Sequence, residues 1–168
     1  MDQPTELSLI RLAPEPQCGH DVALRLAGDI AELLNFDEGL PKELRHPPDA
    51  PLETAESVLS FTREWCLPRN AIFHAIVVGG RAIGSISLSH VDTVEGTARS
   101  GYWLGSAHQG RGYATQALGT LVAIARESGL ARLSATIPAD NERSRRVWEK
   151  LGAVVDSDGG KLTAMIAL

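Results

Sequence analysis

Gln109-Gly110-Arg111-Gly112-Tyr113-Ala114-Thr115 stands between a strand-like run ending near Leu104 and an apolar-periodic helix beginning at Ala114. A strand that passes into a helix through glycines aims several free backbone N–H groups, and the positive end of a helix dipole, at one point in space. Such a junction binds an anion, usually a phosphate. Glycine lets the ligand approach the main chain without meeting a Cβ. The stretch therefore predicts an α/β chain with a place for a phosphate-bearing cofactor.

The dinucleotide fingerprint G-x-G-x-x-G/A is followed only through Gly110-Arg111-Gly112-Tyr113-Ala114-Thr115, with Thr in the last place. No acidic residue stands out about 20 positions further on, as that fingerprint requires. The P-loop ending Gly-Lys-Ser/Thr is absent. A glycine-rich helix entrance can also be a plain turn, so the flanks decide. Gly101-Tyr102-Trp103-Leu104-Gly105 runs into the loop. Downstream come Asp140-Asn141-Glu142-Arg143-Ser144 and Trp148-Glu149-Lys150-Leu151-Gly152-Ala153. In this order and spacing the segments resemble the GNAT N-acetyltransferases, particularly the RimJ/RimL-type branch of ribosomal-protein N-terminal acetyltransferases. The resemblance covers Gly101 to Ala153, about a third of the chain. In that family Gln-x-x-Gly-x-Ala, here Gln109, Gly112 and Ala114, is the pyrophosphate loop of acyl-coenzyme A.

Composition narrows the class. At 168 residues the chain makes one domain, 1–168, large enough to bury a substantial core. With 43% hydrophobic and 22% charged residues it belongs with soluble globular proteins. No apolar run reaches the roughly 18 residues of a membrane span. Met1-Asp2-Gln3-Pro4-Thr5-Glu6 lacks the basic region of a signal peptide. Cys18 and Cys66 form no disulfide framework, which points to a reducing cytoplasm. There is no Cys-x-x-Cys or His-x-x-x-His pair and the five histidines are scattered, so no metal site is expected. A net charge of −5 argues against nucleic-acid binding and suits a cationic amine, although plain solubility also explains it.

Periodicity predicts strands at Leu7 to Leu12, Ala71 to Val78, Arg81 to His90, Thr97 to Leu104, Arg132 to Ile137, Ala153 to Asp156 and Lys161 to Leu168. Helices are expected over Asp21 to Leu34, Glu53 to Cys66, from Ala114 to near Gly129, and Glu142 to Leu151. In the second helix Val58, Leu59, Phe61, Thr62 and Trp65 should shape the buried side. Gly79-Gly80 signals a two-residue hairpin. Ser85, Ser87 and Ser89 alternate with Gly84, Ile86 and Leu88, making one strand face distinctly more polar. Asn35 to Pro51, rich in proline, is largely loop. The expected architecture is α/β, a mixed, mainly antiparallel sheet of about seven strands with four helices.

The GNAT resemblance adds roles. It implies that acetyl-CoA is the cofactor, with backbone N–H groups from Gly110 through Thr115 on its pyrophosphate and Arg111 adding charge. It implies splayed central strands, beginning at Thr97 and Arg132, parted by a bulge near Leu104. The pantetheine arm lies between them and the Leu104 N–H points at the thioester oxygen. Many GNAT enzymes place a Tyr acid where this chain has Trp148, whose indole cannot serve. The branch offers instead the Ser of Asn-x-x-Ser, here Ser144, with Asn141 capping the helix and touching the cofactor. Trp148, four residues on, would wall the site. Relatives often carry a Glu as general base just before the Gly-Tyr strand end, where this chain has Arg99 and Ser100. His90, Asp92 or Glu95 could act through water, or be exposed turn residues. The N-terminal helices, their connector and the final hairpin form the acceptor cleft. The connector's Asp37, Glu38, Glu43 and Asp49 either hold an amine or keep the loop solvated.

No Gly-x-Ser-x-Gly elbow is present and neither cysteine lies near the motifs, so a direct attack of amine on thioester is expected. The acceptor is a protein or peptide N-terminal α-amine, or a small-molecule amine such as an amino acid, polyamine or antibiotic. A non-catalytic acyl-CoA sensor is the rival from another class. The chain is a monomer or homodimer.

Overall fold

The computed structural model describes residues 6–168. The start of the stretch inspected for a signal peptide, Met1 to Thr5, lies outside the described residues. Seven strands, β1 Leu7–Ala13, β2 Ile72–Val78, β3 Arg81–Asp92, β4 Thr97–Leu104, β5 Arg132–Pro138, β6 Val154–Asp158 and β7 Lys161–Ala167, make one sheet in the order β1-β2-β3-β4-β5-β7-β6. Four helices accompany them: α1 His20–Phe36, α2 Ala55–Cys66, α3 Tyr113–Glu127 and α4 Glu142–Lys150. All strand pairs are antiparallel except β4–β5, which is parallel.

Local chemistry explains the elements. The α1 stripe Ala23, Leu26, Ala27, Ile30 and Ala31 recurs at helical spacing and is buried. A capping box opens α2: Thr54 Oγ1 accepts from the Ser57 N–H at 3.1 Å, and Ser57 Oγ accepts from the Thr54 N–H at 2.7 Å. The buried stripe of α2 is Val58, Thr62 and Cys66, and the expectation for Phe61 fails. Phe61 is 64% exposed because, at 100° per residue, it falls to one side of that stripe. Gly79 and Gly80 have φ of 59° and 76°, the left-handed pair that a tight β2–β3 hairpin requires.

Helices cover the sheet unequally. Adjacent residues of β2 divide between two cores: Ile76 packs with α3 residues such as Leu118 and Leu121, whereas Ala75 and Val77 pack with Leu26 and Ile30 of α1. Thus α3 and α4 lie on one face, α1 and α2 on the other. The polar face of β3 is not a wet one, since Ser85, Ser87 and Ser89 are all buried on the α1 side. Beyond β3 that same face is bare. Exposed and buried residues alternate strictly along β7, and Arg99 and Gly101 of β4 are exposed while Ala98 and Ser100 are buried.

The parallel pairing is short. It runs Thr97↔Arg132, Ala98↔Leu133 and Arg99↔Ser134, after which β4 and β5 separate. The splay is therefore present, but the bulge expected near Leu104 is not. The β3–β4 register runs unbroken from Ser89↔Arg99 to Gly84↔Leu104, and irregularities fall instead at Ile76/Val77 and Ser89/Asp92. The strands diverge because β5 keeps its full ladder with β7 while β4 stays with β3.

Candidate active site

The ladder fixes which way the β4 main chain points. Gly105 N–H donates to the Ile83 carbonyl at 2.8 Å, so it faces β3. In an antiparallel pair successive residues alternate in direction. The N–H groups of Tyr102 and Leu104 therefore face the opening gap, not β3.

Past Leu104 the chain makes a short 3-10 turn, Ser106–His108, then the glycine loop. Gly110 and Gly112 hold φ of 74° and 83°. Gly112 is the N-cap of α3 and no side chain caps that helix. Its first-turn N–H groups are thus left open at the mouth of the gap, an arrangement suited to phosphate oxygens. Gln109 braces the loop from inside: Nε2 donates to the Leu104 carbonyl at 3.1 Å, and Oε1 accepts from Arg143 Nη1.

The opposite wall is the start of α4. Asn141 Oδ1 accepts from the Ser144 N–H at 3.1 Å, so the expected cap is real. Tyr102 O–H donates to Ser144 Oγ at 3.3 Å. With that lone pair engaged, the Ser144 hydroxyl hydrogen is free to point elsewhere. Burial pushes the Tyr102 phenol above its ordinary value, only partly opposed by Ser144, so Tyr102 is a neutral donor at physiological pH.

Together these residues line one cleft of about 630 Å³. It gathers Leu104, Gln109, Gly110, Gly112, Tyr113, Ala114, Thr115, Asn141 and Ser144. Of the loop residues only Arg111 lies elsewhere. It lines a second hollow with Asp29, Asp37, Arg81 and His108. Trp148 does not wall the cleft either. At 1% exposure it is a core residue among Leu133, Ile137 and Leu162, because α4 turns its apolar stripe, Val147 and Trp148, onto the sheet.

The structure adds residues that the sequence did not single out. Tyr102 looked like a plain strand residue. Arg143, Arg146 and Lys150 line the cleft, and their i, i+3, i+7 spacing on one helix face was a usable signal. The connector supplies Gly39, Leu40, Pro41 and Leu44 as a further wall. Its carboxylates do not face the cleft. Asp37 Oδ2 accepts from the Ser106 N–H and Oδ1 from the Ser106 hydroxyl, both at 2.6 Å, while Glu38, Glu43 and Asp49 are exposed. Among the base candidates, Asp92 Oδ1 is engaged by the Val94 and Glu95 N–H groups in a turn. His90 Nδ1 lies 3.1 Å from Ser89 Oγ, next to Arg99 in the register.

The acetyltransferase (GNAT) domain family matches residues 23–154. The chain belongs to this family. It is 36% identical over 75 residues to the ribosomal-protein-serine acetyltransferase of Escherichia coli (strain K12), a match spanning 44% of this chain and only 42% of that protein's length. Its fold is similar to RimL, the ribosomal L7/L12 alpha-N-protein acetyltransferase in complex with coenzyme A, at a TM-score of 0.72 and 16% identity over 99% of this chain and 96% of that one. It is similar also to the microcin C7 self-immunity acetyltransferase MccE in complex with acetyl-CoA and AMP, at 0.69 and 20% identity over 97% and 93%.

Proposed function

We propose that the protein is an acetyl-CoA-dependent N-acetyltransferase that moves acetyl to a primary amine by direct attack. The observation that carries this is the Tyr102–Ser144 hydroxyl pair, set beside a strand edge whose Tyr102 and Leu104 N–H groups face an open gap. The residues suit the group. N–H donors from Gly110 through Thr115 would hold its pyrophosphate, Arg143, Arg146 and Lys150 would add positive charge, and the free edge of β4 would pair with the pantetheine amides.

When bound, acetyl-CoA supplies an acetyl group activated as a thioester. Leu104 N–H stabilises negative charge on a carbonyl oxygen, a contribution of about 10²–10³ in rate for one such donor. Ser144 O–H releases its proton to the leaving sulfur, and Tyr102, donating to Ser144 Oγ, holds the serine so that its hydrogen is available. Asn141 fixes the first turn of α4 and with it the Ser144 backbone. An acceptor amine enters from the bare face of β4 and β5 and loses its proton to solvent. The acceptor is either a peptide N-terminal α-amine, as for the relatives named for ribosomal proteins, or a small amine. We place the protein in the cytoplasm, as a monomer or homodimer.

The test is coenzyme A release by Ser144→Ala. A fall in kcat of about 10²-fold or more, with acetyl-CoA affinity nearly unchanged, is the expected result. Unchanged kcat would remove Ser144 as the acid. A wild-type protein that binds acetyl-CoA yet releases no coenzyme A, whichever amine is added, would instead be a sensor.

A further inference from the structure

We infer that the acceptor carries a carboxylate close to its amine and that Arg99 receives it; this rests on the acetyl transfer proposed above. Arg99↔Ser134 is the last paired position before β4 and β5 part, so Arg99 stands where the gap opens. Its side chain is on the bare face, and its one hydrogen bond is from Nη2 to the neutral Thr136 Oγ1 at 2.8 Å. A guanidinium has five donors in a fork that matches a carboxylate.

No protein carboxylate answers it. Among the described residues neither Arg99 nor Arg132 takes part in an ion pair. Arg132 pairs with Thr97, one register step along the same face from Ser134, so it adds a second positive charge diagonal to Arg99. On that face the nearest carboxylate is Asp92, in register with Thr97 and so diagonal to Arg99, and its Oδ1 is engaged by the Val94 and Glu95 N–H groups. Asp156 reaches the site only through Thr163 and Thr136, three strands from β4 or about 14 Å. In a chain of net charge −5 this is a local inversion of sign. A polyamine is repelled there, and an anion attracted.

The floor around Arg99 fits a small group. Two residues on, Gly101 is exposed with nothing within 4 Å of where a Cβ would stand, leaving bare backbone between Arg99 and Tyr102. The row Arg99–Ser134–Met165–Val154 crosses four strands and ends in two exposed apolar side chains. A carboxylate at Arg99 thus directs an amine along β4 toward the gap, with room for a hydrocarbon portion over Met165. A free amino acid supplies that chemistry through its own carboxylate. An acidic side chain near a peptide N-terminus supplies it as well.

Matched acceptor pairs test this by coenzyme A release. Leucine against leucinamide isolates the free carboxylate, and Asp-first against Asn-first peptides with amidated ends isolate the side-chain source. The wild type is expected to prefer the carboxylate member of at least one pair by about tenfold or more in kcat/KM. Arg99→Gln should bring that ratio near one and Arg99→Glu should invert it, with circular dichroism confirming both folds. Parity in both pairs for the wild type, or a preference that survives Arg99→Gln, overturns the inference while leaving acetyl transfer intact. No coenzyme A release with any added amine removes the acetyl transfer and this inference with it.

Discussion

Tyr102 and Trp148 exchange roles between sequence and structure. A strand tyrosine has no visible partner in a linear pattern, because Ser144 lies 42 positions away and only the packing of α4 on the sheet brings the two hydroxyls to 3.3 Å. Trp148 stood at a position suggestive of catalysis and is instead buried with Leu133 and Ile137. Tyr102→Phe removes the donor but keeps the ring. It should lower kcat by about tenfold with KM for the acceptor little changed, as read by steady-state kinetics; an unchanged kcat would reduce Tyr102 to a wall. His74 gives a pH prediction. It is buried on β2 with Nδ1 unpartnered, and burial, then the nearby Arg11 charge, bring its pKa down from 6.5 to about 4. The unfolded chain takes up that proton first as pH falls. Stability should therefore drop between about pH 6.5 and 4 by up to about 3 kcal/mol and then level off. The difference in urea midpoint between the wild type and His74→Leu isolates this contribution, and parallel pH curves for the two would refute it. At Gly84 a Cβ would stand 2.1 Å from the Trp103 carbonyl oxygen. Gly84→Ala should thus destabilise by about 3 kcal/mol or more, measured as the shift in denaturation free energy.

At the scale of elements, glycines, prolines and periodicity fixed most boundaries. β4 spans Thr97–Leu104 as expected, and α2 ends at Cys66 as expected while its Thr54 cap moves the start from Glu53 to Ala55. Register and side-chain face are less visible, since both depend on a partner strand. The parallel start of β4 and β5 came from the GNAT resemblance, the bulge implied with it is absent near Leu104, and the serine face of β3 gave no hint of the helices covering it. The connector shows the same limit. Its acidic residues looked like a possible amine cradle, yet Asp37 ties the connector to the turn before the glycine loop. Burial raises the Asp37 pKa, but hydrogen bonds from the Ser106 hydroxyl, the Ser106 and Gly39 amides and the His108 field outweigh it and the net value is lowered. This stabilisation is complete above the unfolded value of 3.8 and is lost as pH falls through the lower folded value. Asp37→Ala should loosen the Gly39–Leu44 wall and weaken acetyl-CoA binding by about tenfold in calorimetry, with the helical content unchanged. Equal affinity would show that the wall does not contribute.

Across the whole molecule, helices on both faces of β1–β3 and on only one face of β4–β7 leave a sheet whose bare half meets the β4–β5 gap. On the proposed reading, cofactor and acceptor approach from different sides of one opening, as direct transfer requires. Among the described residues no helix is long and apolar enough to cross a membrane, and no group of three metal-ligating side chains is assembled. The half of the chain with the glycine loop was readable because its glycines and caps are local. The acceptor half was not, because its surface is built from single residues on four strands. The account rests on the gap between β4 and β5 delivering acetyl to an amine. The most direct measurement is coenzyme A release from acetyl-CoA by the purified protein across amino acids, peptides, polyamines and aminoglycosides. Release that depends on the added amine, and is largely lost in Ser144→Ala, is the predicted result. Failure of acetyl-CoA to bind, or binding without release from any of these amines, would contradict the account.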